Sequence, residues 1–80
     1  MVVQFTIAGQ RARLSRDDVI RKLRRVEPAP VRVHGVEIGG ILYPVTQALA
    51  EATGLDLLDV NTNQARKVFQ RLGFKVVRRS

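Results

Sequence analysis

The chain has no cysteine, so neither a disulfide framework nor a thiolate metal site is open to it, and its fold must rest on apolar burial alone. Its 80 residues suffice for one core only, because a second would need roughly 50 residues of its own. The material for that core is present. Hydrophobic residues make up 45% and charged residues 26%, which is too apolar and too weakly charged for a disordered basic tail. One folded domain over residues 1–80 is therefore expected.

The spacing of the apolar residues assigns its elements. Val3, Phe5 and Ile7 alternate with Gln4 and Thr6, the period of a half-buried strand. Ala8-Gly9-Gln10 reads as a turn, and Arg11-Ala12-Arg13-Leu14 as a short returning strand. Ser15-Arg16-Asp17-Asp18 opens a helix: Ser15 caps it, Asp18 stands at capping-box spacing, and both carboxylates lie at the positive end of the dipole. Its buried stripe is Val19, Ile20, Leu23 and Val26, and Pro28 and Pro30 stop it. Between Val31 and Tyr43, alternation broken by Gly35 and Gly39-Gly40 predicts a β-hairpin or two short strands.

Pro44 fits the first turn of a second helix, with Val45, Ala48, Leu49 and Ala52 at helical spacing and Gly54 at its end. After a link over Leu55–Val60, Asn61 or Thr62 caps a third helix with the stripe Ala65, Val68, Phe69 and Leu72, which Gly73 ends. Phe74-Lys75-Val76-Val77 forms a last strand. The predicted class is α+β, in the order β(β)α-ββ-αα-β, with three helices on a small antiparallel sheet and a helix-turn-helix-like pair near the carboxyl end.

Charge points to the partner. The chain carries 14 Lys plus Arg against 7 Asp plus Glu, a net +7, and its pI is about 11.4. Phosphate neutralisation dominates nucleic-acid affinity, so a polyanion is the economical partner. Arginine makes up 11 of the basic residues. GC-rich coding sequence alone inflates that number, but a guanidinium also holds a phosphate or a guanine edge bidentately, which an ammonium cannot. Residues 1–32 carry a net +5, residues 33–65 a net −4, and residues 66–80 a net +6. If the two basic ends pack together as the first and last strands of one sheet, the molecule has one positive face.

The third helix combines cations with side chains that bond base edges. Asn63, Gln64, Lys67, Gln70 and Arg71 share its solvent face, with Arg66 on the flank and Thr62 at its start. Arg21, Lys22, Arg24, Arg25, Arg32, Lys75, Arg78 and Arg79 are candidates for phosphate contact, which positions a protein without conveying sequence. Tyr43 has two readings, a core residue with a satisfied hydroxyl or a side chain abutting a base. His34, a lone imidazole, reads as a surface or strand residue rather than a metal ligand. No nucleophile, base and orienter set is present, so no enzyme, cofactor or metal is expected. Nor is a phosphate-binding glycine signature, a signal peptide or a membrane span, and a cytoplasmic, nucleoid-associated protein is expected.

The runs Tyr43-Pro44-Val45-x-Gln47-Ala48-Leu49, Thr53-Gly54-Leu55, Thr62-x-x-Ala65-Arg66 and Leu72-Gly73-Phe74 resemble a small-domain family common in actinobacteria, of the Streptomyces type. Thr46 stands where that pattern has a basic residue, and Val60 where it has an aromatic one. The resemblance implies binding to DNA that carries 5-methylcytosine. It then casts Arg66 or Arg71 as the group stacked on the methyl while bonding the neighbouring guanine, with Tyr43 or Thr62 touching the methyl.

The expected function is thus a non-enzymatic double-stranded DNA-binding domain, monomeric or homodimeric, whose third helix enters the major groove and whose basic ends clamp phosphates. Two alternatives are an RNA- or ribosome-associated basic protein and an antitoxin-like protein-interaction module. Against the first, the strands lack the stacking aromatics of single-strand binders. The second would be favoured by an exposed apolar patch.

Overall fold

The computed structural model describes residues 2–79; Met1 and Ser80, the two ends of the assigned domain, lie outside them. Two hairpins and three helices follow one another in the expected order. Strands β1 (Val2–Ile7) and β2 (Gln10–Ser15) pair antiparallel, and α1 (Arg16–Leu23) follows directly. Strands β3 (His34–Ile38) and β4 (Ile41–Pro44) form the second hairpin, followed by α2 (Val45–Thr53), a single 3₁₀ turn at Leu57–Asp59, α3 (Thr62–Arg71) and β5 (Lys75–Arg78). β5 returns antiparallel to the free edge of β3, which gives the order β4-β3-β5.

The five strands are thus divided between two antiparallel sheets, and the first and last strands are not neighbours. Ile7 pairs with Gln10 across a two-residue loop, which makes β1 and β2 a local hairpin, while β5 pairs with β3. Both loop residues are left-handed, Ala8 at φ 50° and Gly9 at φ 75°. Gly tolerates this conformation but Ala does not, at a cost of about 1–2 kcal/mol. Ala8→Asn, which supplies the preferred residue of such a turn, is expected to raise stability by about 0.5–1 kcal/mol in urea unfolding.

Local signals fix the helix ends. The Ser15 hydroxyl accepts from the Asp18 N–H at 3.1 Å and the Asp18 carboxylate accepts from the Ser15 N–H at 3.2 Å, a closed capping box. Those backbone and hydroxyl bonds hold the Asp18 carboxyl below its ordinary range. Gly54 ends α2 in a left-handed conformation, its N–H donating to the Ala50 carbonyl. Asn61, rather than Thr62, caps α3, accepting from the N–H groups of Asn63 and Gln64 at 2.8 and 3.2 Å. The first helix, however, stops at Leu23, well ahead of Pro28.

Tyr43 explains the early stop. It is 1% exposed, and its hydroxyl lies 2.9 Å from the Leu23 carbonyl and 3.1 Å from that of Val26. The one hydroxyl proton from β4 is shared between these two carbonyls, and the Leu23 carbonyl also accepts from the Val26 N–H at 3.1 Å, a turn bond that closes the end of α1. Around Tyr43 lies one core, with Val3, Ile7, Leu14, Val19, Leu23, Val36, Leu49, Phe69 and Leu72 all buried. Phe69 and Phe74 meet edge to face with ring centroids 5.9 Å apart, which seats α3 on the start of β5. β3 is pressed close to its surroundings at Gly35, where a Cβ would lie 3.0 Å from Val31 and 3.1 Å from Leu42.

Candidate nucleic-acid interface

The outer face of α3 is basic and polar along its whole length. At about 100° per residue, Arg66, Gln70, Asn63, Lys67 and Arg71 fan across roughly 140° of the helix circumference in that order. All of these except Arg66 are exposed, and Arg66 is half-buried. Asn63, Arg66, Lys67 and Gln70 line a shallow depression of about 230 Å³. α3 carries no acidic residue, and the one ion pair among the described residues is Arg21–Asp18, at 2.8 Å on α1. The cations of α3 are therefore unneutralised within the fold.

Several predicted contact residues have other tasks. Tyr43 is a correction: fully buried with its hydroxyl engaged, it is a core residue and cannot touch a base or a methyl group. Gln64 is a second. Its side-chain amide donates to the Thr6 carbonyl and ties α3 to β1, so it is withdrawn from the reading face. Arg21 is committed in part to Asp18. Lys75 pairs across strands with Glu37, on the sheet face opposite to that of Arg78, because alternate residues of a strand point to opposite faces. Lys75 and Arg78 therefore cannot clamp the same side of a ligand.

The remaining phosphate candidates fall into separate groups. Lys22 shares a depression with Arg11 and Arg13 of β2, two cations that the sequence reading counted in the charge but did not single out. Arg24 lies beside the β3–β4 turn at Gly39, at the far end of β3 from His34. Arg25 and Arg79 are exposed, and the Arg79 N–H extends the ladder by donating to the Val33 carbonyl. What joins the two basic ends is α3, since it touches β1 through Gln64 and the start of α1 through Arg16. The Arg16 guanidinium donates to the Leu72 carbonyl at 3.0 Å and lies 4.3 Å from the centroid of the Phe74 ring, so it caps α3 and is spent.

An open groove of about 460 Å³ adjoins α3. Arg32, Val33, His34, Pro44, Leu57 and Thr62 are among its walls, so Thr62 faces a largely apolar trough. Gln47 holds the outer wall in place, accepting from the Ala29 N–H at 2.9 Å and donating to the Glu27 carbonyl at 3.1 Å. His34 also faces cations. Desolvation first, then the charges of Arg66 and Arg78, hold its imidazole below the ordinary 6.5.

The sign of that shift sets a test. Because the folded protein resists the proton, the unfolded chain binds more protons below the ordinary imidazole range. The stability that neutral His34 contributes is thus present above about pH 6.5 and lost as pH falls below it. Thermal unfolding from pH 7.5 to 5.5 is expected to show the loss in the wild type but not in His34→Gln.

Among the described residues no cluster of acidic, His or Cys side chains could hold a metal ion. No helix is long and apolar enough to cross a membrane. A family model described as SCO5918-like matches residues 3–80, which is nearly the whole chain. No curated protein and no solved structure matches it.

Proposed function

The chain belongs to the SCO5918-like family, and we propose, from the residues of α3, that it is a non-enzymatic double-stranded DNA-binding domain that lays the outer face of α3 in a major groove. One observation carries the reading: Asn63, Arg66, Lys67, Gln70 and Arg71 form a continuous face with neither a carboxylate on the helix nor an ion-pair partner among the described residues. Asn and Gln bond adenine edges and Arg and Lys bond guanine edges, so such a face suits base contact as well as phosphate contact. Preference for 5-methylcytosine rests on the resemblance of the Tyr43–Phe74 motif. The apolar trough beside Thr62 supports it as a place for a methyl group; of the two arginines that the resemblance casts as the stacking group, Arg66 leaves α3 on the side of Thr62, whereas Arg71, nine residues on, leaves on the opposite side.

The test is a titration of one duplex in unmethylated, hemimethylated and fully methylated form, with an RNA duplex beside it. Binding tighter than ~10 μM at moderate salt, with the methylated form preferred, is expected. Equal affinity for all DNA forms removes the methyl preference, and absence of binding at that concentration removes DNA as the ligand. A stronger RNA complex would transfer the site to RNA.

A second reading has its own observation. Leu58 is 92% exposed and Leu57 52%, and this apolar turn lies between Asp56 and Asp59 in the acidic middle of the chain. Such a corner suits a protein partner rather than a duplex, and a second copy of this basic chain is the simplest one. Leu58→Ser is expected to leave stability within about 0.5 kcal/mol of the wild type. In sedimentation, a wild-type dimer that the substitution converts to monomer supports the reading, and a wild type monomeric at every concentration removes self-association.

A further inference from the structure

We propose that His34, Arg66 and Arg78 form a site for one phosphate group, supplied by the backbone of the bound duplex. The inference rests on the DNA-binding reading and sharpens it, because it takes Arg66 from the base readers, gives it to the backbone, and adds a histidine.

Three elements build the site. His34 opens β3 and Arg78 closes β5, and the two are directly opposite in the antiparallel register. Opposite residues share a face, with Cβ atoms about 4.5–5.5 Å apart. That face is the one α3 covers, since Val36 and Val76, the next pair inward, pack into the core. Arg66 reaches the same place from α3, near enough for its charge and that of Arg78 both to act on the imidazole.

The cluster lacks a counter-charge. Glu37 lies on the opposite face of β3, and the groove beside His34 adds Arg32 and no carboxylate, because the 3₁₀ turn faces it through Leu57 alone. A phosphate would supply what is missing. The Nε of Arg66 is buried without a hydrogen-bond partner, and Arg66 makes no ion pair among the described residues. Turning its guanidinium onto an anion therefore breaks no existing bond and satisfies an orphan donor. The imidazole, kept from the proton by desolvation first and by its cationic neighbours second, gains a reason to take one once an anion sits between them. Phosphate binding and His34 protonation are thus coupled, and duplex affinity rises as pH falls.

His34 is the only histidine in the chain, so its Cε1–H resonance reports the site without ambiguity. It is titrated in chloride, in inorganic phosphate at equal ionic strength, and with a short duplex. A duplex-induced rise of about 0.5–1 pH unit in the His34 midpoint is expected, with threefold to tenfold tighter duplex binding at the acid end. His34→Gln and Arg66→Gln should each abolish the pH dependence while weakening methylated and unmethylated duplexes alike. A duplex that binds without moving the midpoint overturns the phosphate site and leaves DNA binding standing. A midpoint raised by inorganic phosphate in a protein that binds no duplex supports the site and overturns its polynucleotide source. If Arg66→Gln lowers only the discrimination between methylated and unmethylated DNA, Arg66 is a base reader and the proposal fails.

Discussion

Tyr43→Ala is expected to leave the domain largely unfolded at 37 °C. A chain of 80 residues is stable by about 4–12 kcal/mol at typical values per residue. Removing a fully buried aromatic side chain costs about 3–5 kcal/mol through lost burial and the cavity left behind. Here the loss also removes the hydroxyl from the carbonyls of Leu23, which keeps the Val26 N–H, and of Val26, which adds about 1–3 kcal/mol for the Val26 group left unpaired. The sum reaches the lower part of the stability range. Tyr43→Phe isolates the second contribution: it keeps the ring and is expected to lower the melting temperature by about 5–15 °C. Faster amide exchange over residues 23–27 should accompany it. Duplex affinity per folded molecule should be unchanged in Tyr43→Phe, since the hydroxyl faces the end of α1 and not the solvent. A folded Tyr43→Phe variant that no longer bound DNA would return Tyr43 to the interface.

That residue also shows where the sequence is legible and where it is not. Signals carried within a few residues are readable, because their partners are fixed by helical or strand geometry. The Ser15–Asp18 capping box, the paired glycines at 39 and 40, the left-handed Gly54 and the apolar stripe of α3 all follow from spacing alone. Contacts between distant segments do not. Pro28 and Pro30 set an outer limit for α1, but a tyrosine 20 residues beyond Leu23 sets the actual end. Nothing in the run Lys75–Arg78 says that it will choose β3 over β1. That choice splits Lys75 from Arg78 and sets Arg78 beside His34.

The same distinction applies to the interface. Periodicity identifies which face of α3 is polar, but not that Gln64 is tied to Thr6 across 58 residues or that Arg16 is held by Leu72. An amphipathic pattern reports which way a side chain leaves its helix, and says nothing of a carbonyl waiting there. The exposed face of α3 that remains is thus smaller than the sequence implied and more basic in proportion, since a neutral amide has left it.

Lys67 and Arg71 are the test of that face. Replacing both with Gln keeps side-chain length and hydrogen-bonding capacity but removes two charges, and duplex affinity is expected to fall about 30-fold at 0.15 M salt. The figure follows from counterion release, since each phosphate contact contributes about 0.9 to the slope of log affinity on log salt, or roughly fivefold at that concentration. The slope should fall by about 1.8 in magnitude at the same time. Lys75→Gln removes one charge from the opposite face of the sheet, beside Glu37, and is expected to change affinity by less than about twofold. The contrast separates geometry from net charge. If affinity merely tracked the +7 of the chain, Lys75→Gln would cost as much as either α3 substitution. If α3 enters the groove, the helix substitutions dominate and the strand lysine is nearly silent.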